Sequence, residues 1–566
     1  MRQSSTVKVW ERMWSGVALL LCLSAVPIFG ATITVTSTAD SGPGSLRAAI
    51  ASAADGDTIN FANFAYPITI TLSTPLTLGP SVTISGPGYG NLAISGGDSV
   101  VVFIINAGAT VTISEVTIEH GSSLLGGGIF NAGTLTLTDS VITKNTLGTQ
   151  LGGGIFNAGT LTLIYSTVSG NQAAVSGEFG EGGGVYNYFG TLTLANSTIS
   201  GNIAGNQALA SAGFGGGVFS DHGTVTLTNS AVSGNTADAD GGIFSQAGSL
   251  NMAGSTVSGN VDSDEAGGIF IFSAAGETAT VNIINSTIAG NSCGSAAAPT
   301  CLGAAGILLQ GKSSGSGDGD ITMTLSNSTL SGNSCTHPAE SGPECAGNIY
   351  YSFPVGTLVV KNTIFANNGQ GVNCYTDGGL APTSEGYNLS DDATCASFLT
   401  QTGDLNSTPA GLDPNGLQSN GGPTQTVALL ASSAAVNAIP PSSCTDTSGN
   451  PVTTDQRGVP RPQGSACDIG AFEYFQSGFV VATVQTFLLM DAVQSSPLPR
   501  IAQQVLTVPL QAAVASLNRG NVNAAVLQLQ GFIILVDVAR LSGRLSQAQA
   551  AALTTPARQI IQSLRS

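Results

Sequence analysis

Leucine and threonine alternate in short runs along the middle of this 566-residue chain, and the runs keep returning. In Gly133-Thr134-Leu135-Thr136-Leu137-Thr138 a period of two puts leucine on one face of a strand and threonine on the other. The run is preceded by Gly126-Gly127-Gly128-Ile129-Phe130-Asn131 and followed by an Asp-Ser-Val-Ile segment that ends at Asn145. The glycine-led piece returns as Gly152-Gly153-Gly154-Ile155-Phe156-Asn157, Gly182-Gly183-Gly184-Val185-Tyr186-Asn187 and Gly215-Gly216-Gly217-Val218-Phe219. Shorter versions follow at 241–244 and 267–270. Copies lie about 25 to 40 residues apart, the spacing of solenoid repeats. Each copy holds three strand-like pieces, none long enough to fold alone, so the pattern predicts coils stacked in parallel ladders.

The stacking predicts three aliphatic columns. One is Leu135, Leu161, Leu192, Val225, Leu250 and Val281, and a second is Leu137, Leu163, Leu194, Leu227, Met252 and Ile283. The third is Ile142, Val168, Ile199, Val232, Val257, Ile288 and Leu330. Each buried side chain contributes roughly 1.5–3 kcal/mol, so the array needs no cofactor to hold together. Asn145, Asn171, Asn202, Asn235, Asn260, Asn291 and Asn333 close successive copies. Asparagine there is expected to hydrogen-bond along the ladder and to tolerate positive φ. The glycine triplets are read as tight corners rather than a phosphate cradle, since no Gly-x-x-x-x-Gly-Lys motif occurs.

Arg2, Lys8 and Arg12 precede an apolar run at 14–26, with Gly30 or Ala31 as small residues for cleavage. This is the pattern of a secretory signal over residues 1–30; an uncleaved N-terminal anchor is the alternative. No membrane span is expected in the mature chain. Beyond residue 30, 12 Lys and Arg face 32 Asp and Glu, a balance that repels phosphate backbones and argues against a nucleic-acid partner. Eight cysteines remain, and their order suggests the neighbour pairs Cys293–Cys301, Cys335–Cys345, Cys374–Cys395 and Cys444–Cys467. An even count behind a signal fits an oxidising compartment. A metal reading of these cysteines has little support: no Cys-x-x-Cys occurs, and only His337 lies near them.

Two terminal segments sharpen the picture. Thr34 to Ser37, 40–50 and Gly56-Asp57-Thr58-Ile59 hold Ser45, a candidate N-cap for a short helix carrying Leu46, Ala49 and Ile50. At the other end stand Gly421-Gly422-Pro423-Thr424-Gln425-Thr426, Thr454-Asp455-Gln456-Arg457-Gly458-Val459-Pro460-Arg461-Pro462 and Cys467-Asp468-Ile469-Gly470-Ala471-Phe472-Glu473-Tyr474. With the repeats, these resemble right-handed parallel β-helix proteins of the pectin-lyase-like fold. The likeness is to polymorphic outer membrane protein repeats and to choice-of-anchor bacterial surface proteins, and it covers about residues 31–475. It implies a mainly β, single-stranded right-handed parallel β-helix solenoid, with a cap and first coils over 31–100 and repeats with a C-terminal cap over 101–475. From about residue 476 Ala, Leu and Gln rise, and helices are expected near 480–494, 500–518, 521–541 and 546–565. This α-helical module, 476–566, resembles the FIMAH-type modules of secreted bacterial proteins. No LPXTG motif occurs in the chain.

The resemblance implies secretion or a place on the bacterial cell surface, and extracellular polysaccharide or host glycans as partners. Enzymes share the fold, so fold alone decides nothing. Lyases of that kind use a basic residue beside an acidic sugar. Here no arginine lies between Arg47 and Arg457, and Lys144, Lys312 and Lys361 are the only lysines between them. Asp221-His222 falls in a repeat turn with no partner evident in sequence. The Asp391-Asp392 pair lies in a cysteine-bounded loop, and Asp455, Arg457, Asp468 and Glu473 read as an ion-pair network fixing the final coil. The best candidates are acidic loops: Asp238 and Asp240 before Gly241, and Asp262, Asp264 and Glu265 before Gly267. Stacking is expected to bring Asp238 and Asp264 within about 5 Å, where Ca²⁺ would relieve their repulsion. A solvated loop and a paired-carboxylate glycosidase are the other readings. The expectation is a non-catalytic, adhesin-like or glycan-binding scaffold, with a polysaccharide-active lyase or hydrolase as the alternative.

Overall fold

The computed structural model describes residues 30–474, 480–518 and 522–565, apart from short segments at 174–178, 206–212, 295–300, 302, 312, 315–316, 319, 337–344, 353–355, 367–370, 377 and 379–380. The expected signal over 1–30 thus lies almost wholly outside the described residues, as does His337.

The Gly-Ile-Phe-Asn, Thr-Leu-Thr-Leu and Thr-Val-Ser pieces each build one long parallel sheet, and together they form a β-helix solenoid. Sheet 1 has 11 strands, from Leu76–Leu78 to Val372–Thr376. Sheet 2 has 13, from Thr32–Val35 to Thr383–Ser384, and sheet 3 has 12, from Ile68–Thr71 to Leu389–Ser390. Equivalent residues pair coil to coil: Leu135 with Leu161, Leu161 with Leu192, Ile142 with Val168. All three aliphatic columns run up one continuous core, each member at most 2% exposed.

The corners differ in chemistry. Between sheets 3 and 1 the asparagines turn inward. Asn145, Asn171, Asn202, Asn235, Asn260 and Asn291 each donate from Nδ2 to the Oδ1 of the corner asparagine in the next coil at 2.9 Å, and Asn333 passes the column to Asn348 and then Asn373, both within sheet 1 strands, again at 2.9 Å. Positive φ falls on the preceding glycine instead, as at Gly170 (63°) and Gly201 (61°), which frees the asparagine for the buried column. After this corner the path to sheet 1 varies from coil to coil. It then meets a Gly triplet whose backbone lies against the next coil: a Cβ on Gly153 would stand 2.4 Å from the Gly183 carbonyl oxygen.

Between sheets 2 and 3 the turn residue takes positive φ at Asp139, Tyr165, Asn196, Asn229, Asn285, Asn327 and Asn362. This corner carries the rest of the chain. The motifs at 421–474 fix no final coil; they return down the solenoid's flank as a strap. Asn362 and Asn327 donate to the Thr445 carbonyl at 3.1 and 3.2 Å, Asn285 donates to that of Thr454 at 3.0 Å, and Thr424 Oγ1 donates to the Gly254 carbonyl at 2.9 Å. The sequence conceals this because the turn asparagines read as local turn formers, while their amides serve partners more than 80 residues away.

At the start of the solenoid, helix α1 (Leu46–Ser52) is N-capped by Ser45, whose Oγ accepts from the Ala48 N–H at 3.2 Å, and it buries Leu46, Ala49 and Ile50. At the end of the chain, α2 (Val480–Gln494), α3 (Arg500–Asn518), α4 (Val522–Leu541) and α5 (Gln547–Arg565) pack around Leu510, Leu529, Phe532, Val536 and Ile560. Within α4, Ala524–Leu541 is long and apolar enough to cross a membrane by length and composition, and Leu527, Ile534 and Val538 are exposed. The module meets the solenoid through Arg500, 3.6 Å from Asp139 and over the Tyr165 ring.

Candidate functional site

Alternation in the Gly-Ile-Phe-Asn strands buries Ile and Asn and turns the aromatic residue outward. Phe130, Phe156, Tyr186 and Phe219 therefore stack up the outer face of sheet 1, with ring centroids 5.3, 5.5 and 5.0 Å apart, and the column continues through Phe244 and Phe270. Leu151 and Phe214, from the variable path before the glycines, pack against it. Most of the column is buried, but one place is open.

That place is where the strand Val185–Tyr188 runs one residue further outward. Tyr188 is 44% and Phe189 62% exposed. Phe189 takes φ 49°, and the equivalent residue of the next coil, His222, takes 55°, so the two rings face each other, stacked at 4.8 Å and 7°. Tyr188 meets Phe189 edge-on. His222 Nδ1 is hydrogen-bonded to Asp221, and its Nε2 lies 2.9 Å from Glu277 Oε1. Glu277 reaches back two coils because the connection 274–277 is longer than the two-residue link at 132–133, and because the intervening coil presents only Ala247. Tyr186 donates its hydroxyl to Asp221 at 3.4 Å.

The electrostatics are consistent with this geometry. Burial opposes charge on His222, but the hydrogen bonds and charges of Asp221 and Glu277 outweigh it and raise the imidazole above its ordinary range. Burial, with Asp221 nearby, pushes the Glu181 carboxyl up. The result is an exposed aromatic shelf bordered by the His222 imidazole and the carboxyl groups of Asp221, Glu181 and Glu277. Asp221-His222, without a partner in the sequence, has two in the structure. Tyr188, Phe189, Glu181 and Glu277 escaped the sequence reading; the aromatic residue two places after each glycine triplet was the available signal.

No family model, curated protein or solved structure matches this chain. Its chemistry is therefore read from its own residues.

The five acidic candidates sit at the variable path of two neighbouring coils. Asp240 is fully buried, and neither carboxylate oxygen has a hydrogen-bond partner; one oxygen of Asp238 is likewise unpartnered. Asp262 is 1% exposed, and its carboxylate accepts from the N–H groups of Asp264 at 3.1 Å and Glu265 at 2.5 Å. Burial raises Asp262 to about 8 against those two donors, and burial with Asp264 beside it raises Glu265 to about 7. Burial and the charges of Asp262, Glu265 and Asp264 hold Asp240 well above the carboxylate range. The charge interaction thus centres on Asp240; Asp238 and Asp264 are each raised by burial alone. Among the described residues, no three of these carboxylates lie within mutual ligand distance.

The cysteines form Cys293–Cys301, Cys335–Cys345, Cys374–Cys395 and Cys444–Cys467 disulfides. The sulfur atoms of Cys293, Cys301 and Cys335 gather within 4.8 Å, since Cys293 and Cys335 pair in adjacent coils, but as disulfides they offer no thiolate. Asp391 and Asp392 are taken up by Asn373, whose Nδ2 and backbone N–H donate to them at 2.7 and 2.9 Å. Asp455 pairs with Arg457 at 2.6 Å, and Glu473 pairs with Arg461 at 3.0 Å, all four nearly buried in the strap. Asp468 accepts the Asn437 N–H at 2.6 Å there, so this network holds the strap rather than facing a substrate.

Proposed function

We propose that this protein is a non-catalytic, secreted or cell-surface scaffold that binds neutral glycan chains on the outer face of sheet 1. The observation that carries the reading is the exposed pair Tyr188 and Phe189 beside His222, Asp221, Glu181 and Glu277. Aromatic faces stack on the C–H faces of sugar rings, and carboxylates accept from sugar hydroxyls. The strong negative charge disfavours uronate polymers and nucleic acids. Four disulfides are compatible with an extracellular protein. The resemblance to polymorphic outer membrane protein repeats and choice-of-anchor surface proteins, in the pectin-lyase-like fold, supports an adhesin-like role.

One observation favours a second reading, a polysaccharide-active enzyme: the Glu181 and Asp221 carboxyls stand together at the Tyr186 hydroxyl, and burial with Asp221 nearby raises Glu181, as in sites where two carboxyls divide acid and base roles. A glycan array followed by titration of the retained sugars separates the two. Binding without turnover, weakened about tenfold or more by Phe189→Ala, is expected. Release of shorter oligosaccharides, lost in Glu181→Gln, would establish the enzyme. Absence of glycan binding by the wild type would remove the proposal.

A further inference from the structure

Charge is divided unevenly along this chain. Between residues 31 and 475, 6 Lys and Arg face 30 Asp and Glu, whereas from residue 476 on, 6 Arg face 2 Asp. The acidic protein thus ends in a basic module. Half of the exposed large apolar side chains among the described residues also lie in that module, from Val484 to Leu541. Four of them, Leu527, Ile534, Val538 and Leu541, form a stripe on α4, at spacings that keep to one helix face. Ile534 is 62% and Leu541 76% exposed. The opposite face of α4 is apolar as well, and Leu529, Phe532 and Val536 hold it in the module's core. A helix that is apolar all round is one that is covered all round. Yet fewer than a third of the residues in Ala524–Leu541 are buried. The cleft between the module and the solenoid is lined from α2 and α3, with no residue of α4, so the solenoid does not cover the stripe.

We infer that the α4 stripe, with its basic end, docks on an anionic lipid surface. The stripe ends at Leu541, with Arg540 and Arg544 within a turn of it; Arg544 is exposed, and Arg540 is partly exposed beside Asp537. A bilayer of acidic lipids complements both features: acyl chains receive the stripe, and each arginine near the headgroups adds to the attraction. A second copy would offer α4 the same apolar stripe, but on a module of like charge. Because Phe532 and Val536 belong to the core of the bundle, α4 lies along such a surface with its outer face immersed and does not cross it. The acidic solenoid does not prevent this, since at physiological ionic strength exposed charges more than about 8 Å apart are largely screened. The surface belongs to the module and is independent of glycan binding on sheet 1.

The test is co-sedimentation of the full chain with vesicles of phosphatidylcholine alone and of phosphatidylcholine mixed with phosphatidylglycerol, at low and high NaCl. Binding to the phosphatidylglycerol vesicles is expected, reduced in high salt and about tenfold or more weaker on phosphatidylcholine alone. Ile534→Asp, at an exposed position, is expected to weaken binding about tenfold or more. Arg544→Gln should weaken it about fivefold, and only on the anionic vesicles. Leu124→Asp, which alters an exposed apolar side chain of the solenoid, should leave binding at the wild-type level. Circular dichroism melts check that each variant keeps the wild-type fold. Three results would overturn the inference: no sedimentation with either vesicle; binding to the anionic vesicles unchanged in both Ile534→Asp and Arg544→Gln; or, by light scattering without vesicles, a dimer that Ile534→Asp dissociates, which would assign the stripe to a second copy.

Discussion

Two successive stretches of the same coil follow opposite rules. Where sheet 3 ends, Asn145 to Asn333 form a column in which every amide is used: Asn202 donates to Asn235 and to the Val168 carbonyl, and its Oδ1 accepts from the backbone and side chain of Asn171. A few residues on, the path to sheet 1 holds Asp238, Asp240, Asp262, Asp264 and Glu265, with three carboxylate oxygens buried and unpartnered. The first stretch repeats its sequence because any departure leaves a neighbour's buried group unsatisfied. The second varies in length and composition from coil to coil, although it too holds buried groups, Asp240 and Asp262 among them. A solenoid thus separates its roles within one turn: saturated hydrogen bonds fix the stacking, and the path beside them is free to carry charge.

The sharpest way to break that contrast is to disrupt the saturated corner. Asn202→Ala removes four hydrogen bonds and leaves the buried Asn171 backbone N–H without its side-chain acceptor, and a loss of about 3 kcal/mol in denaturant unfolding is expected. A loss comparable to an exposed substitution would mean the column is not what holds the coils.

The acidic path should respond to pH and in the opposite sense from ordinary surface carboxylates. A group whose folded-state pKa is raised stabilises the fold at low pH and loses that contribution as pH rises through the folded value. Glu265, raised to about 7, and Asp262, raised to about 8, are therefore expected to lower stability between about pH 5 and 8. Glu265→Gln should make that slope shallower. Asp139, raised to about 6, and Glu473, raised to about 7, leave a residual slope. An unchanged slope in Glu265→Gln would show that its carboxyl titrates as it does in water.

What the sequence disclosed divides along the same line. The column members, the capping Ser45 and the C-terminal helices follow from local periodicity, and periodicity is what a repeat displays. The strap along Asn285, Asn327 and Asn362 was hidden, because its contacts join residues more than 80 apart and nothing in Thr445 or Thr454 names a partner. The Phe189–His222–Glu277 cluster was hidden for a related reason: stacking sets Phe189 on His222, but Glu277 arrives only because one connection is longer than its neighbours. The acidic residues were visible, whereas the burial of Asp240 was not, since loop composition reads as solvated.

Coil-on-coil register underlies all of this, and engineered cysteines measure it directly. Thr162 and Thr193 pair on the outer face of sheet 2, and Thr193 pairs in turn with Thr226. Adjacent strands place paired Cα atoms about 4.8 Å apart, within reach of a disulfide. Thr162→Cys with Thr193→Cys is expected to cross-link on mild oxidation, while Thr162→Cys with Thr226→Cys, two coils apart, should not. Cross-linking of the second pair in place of the first would contradict the stacked-coil account.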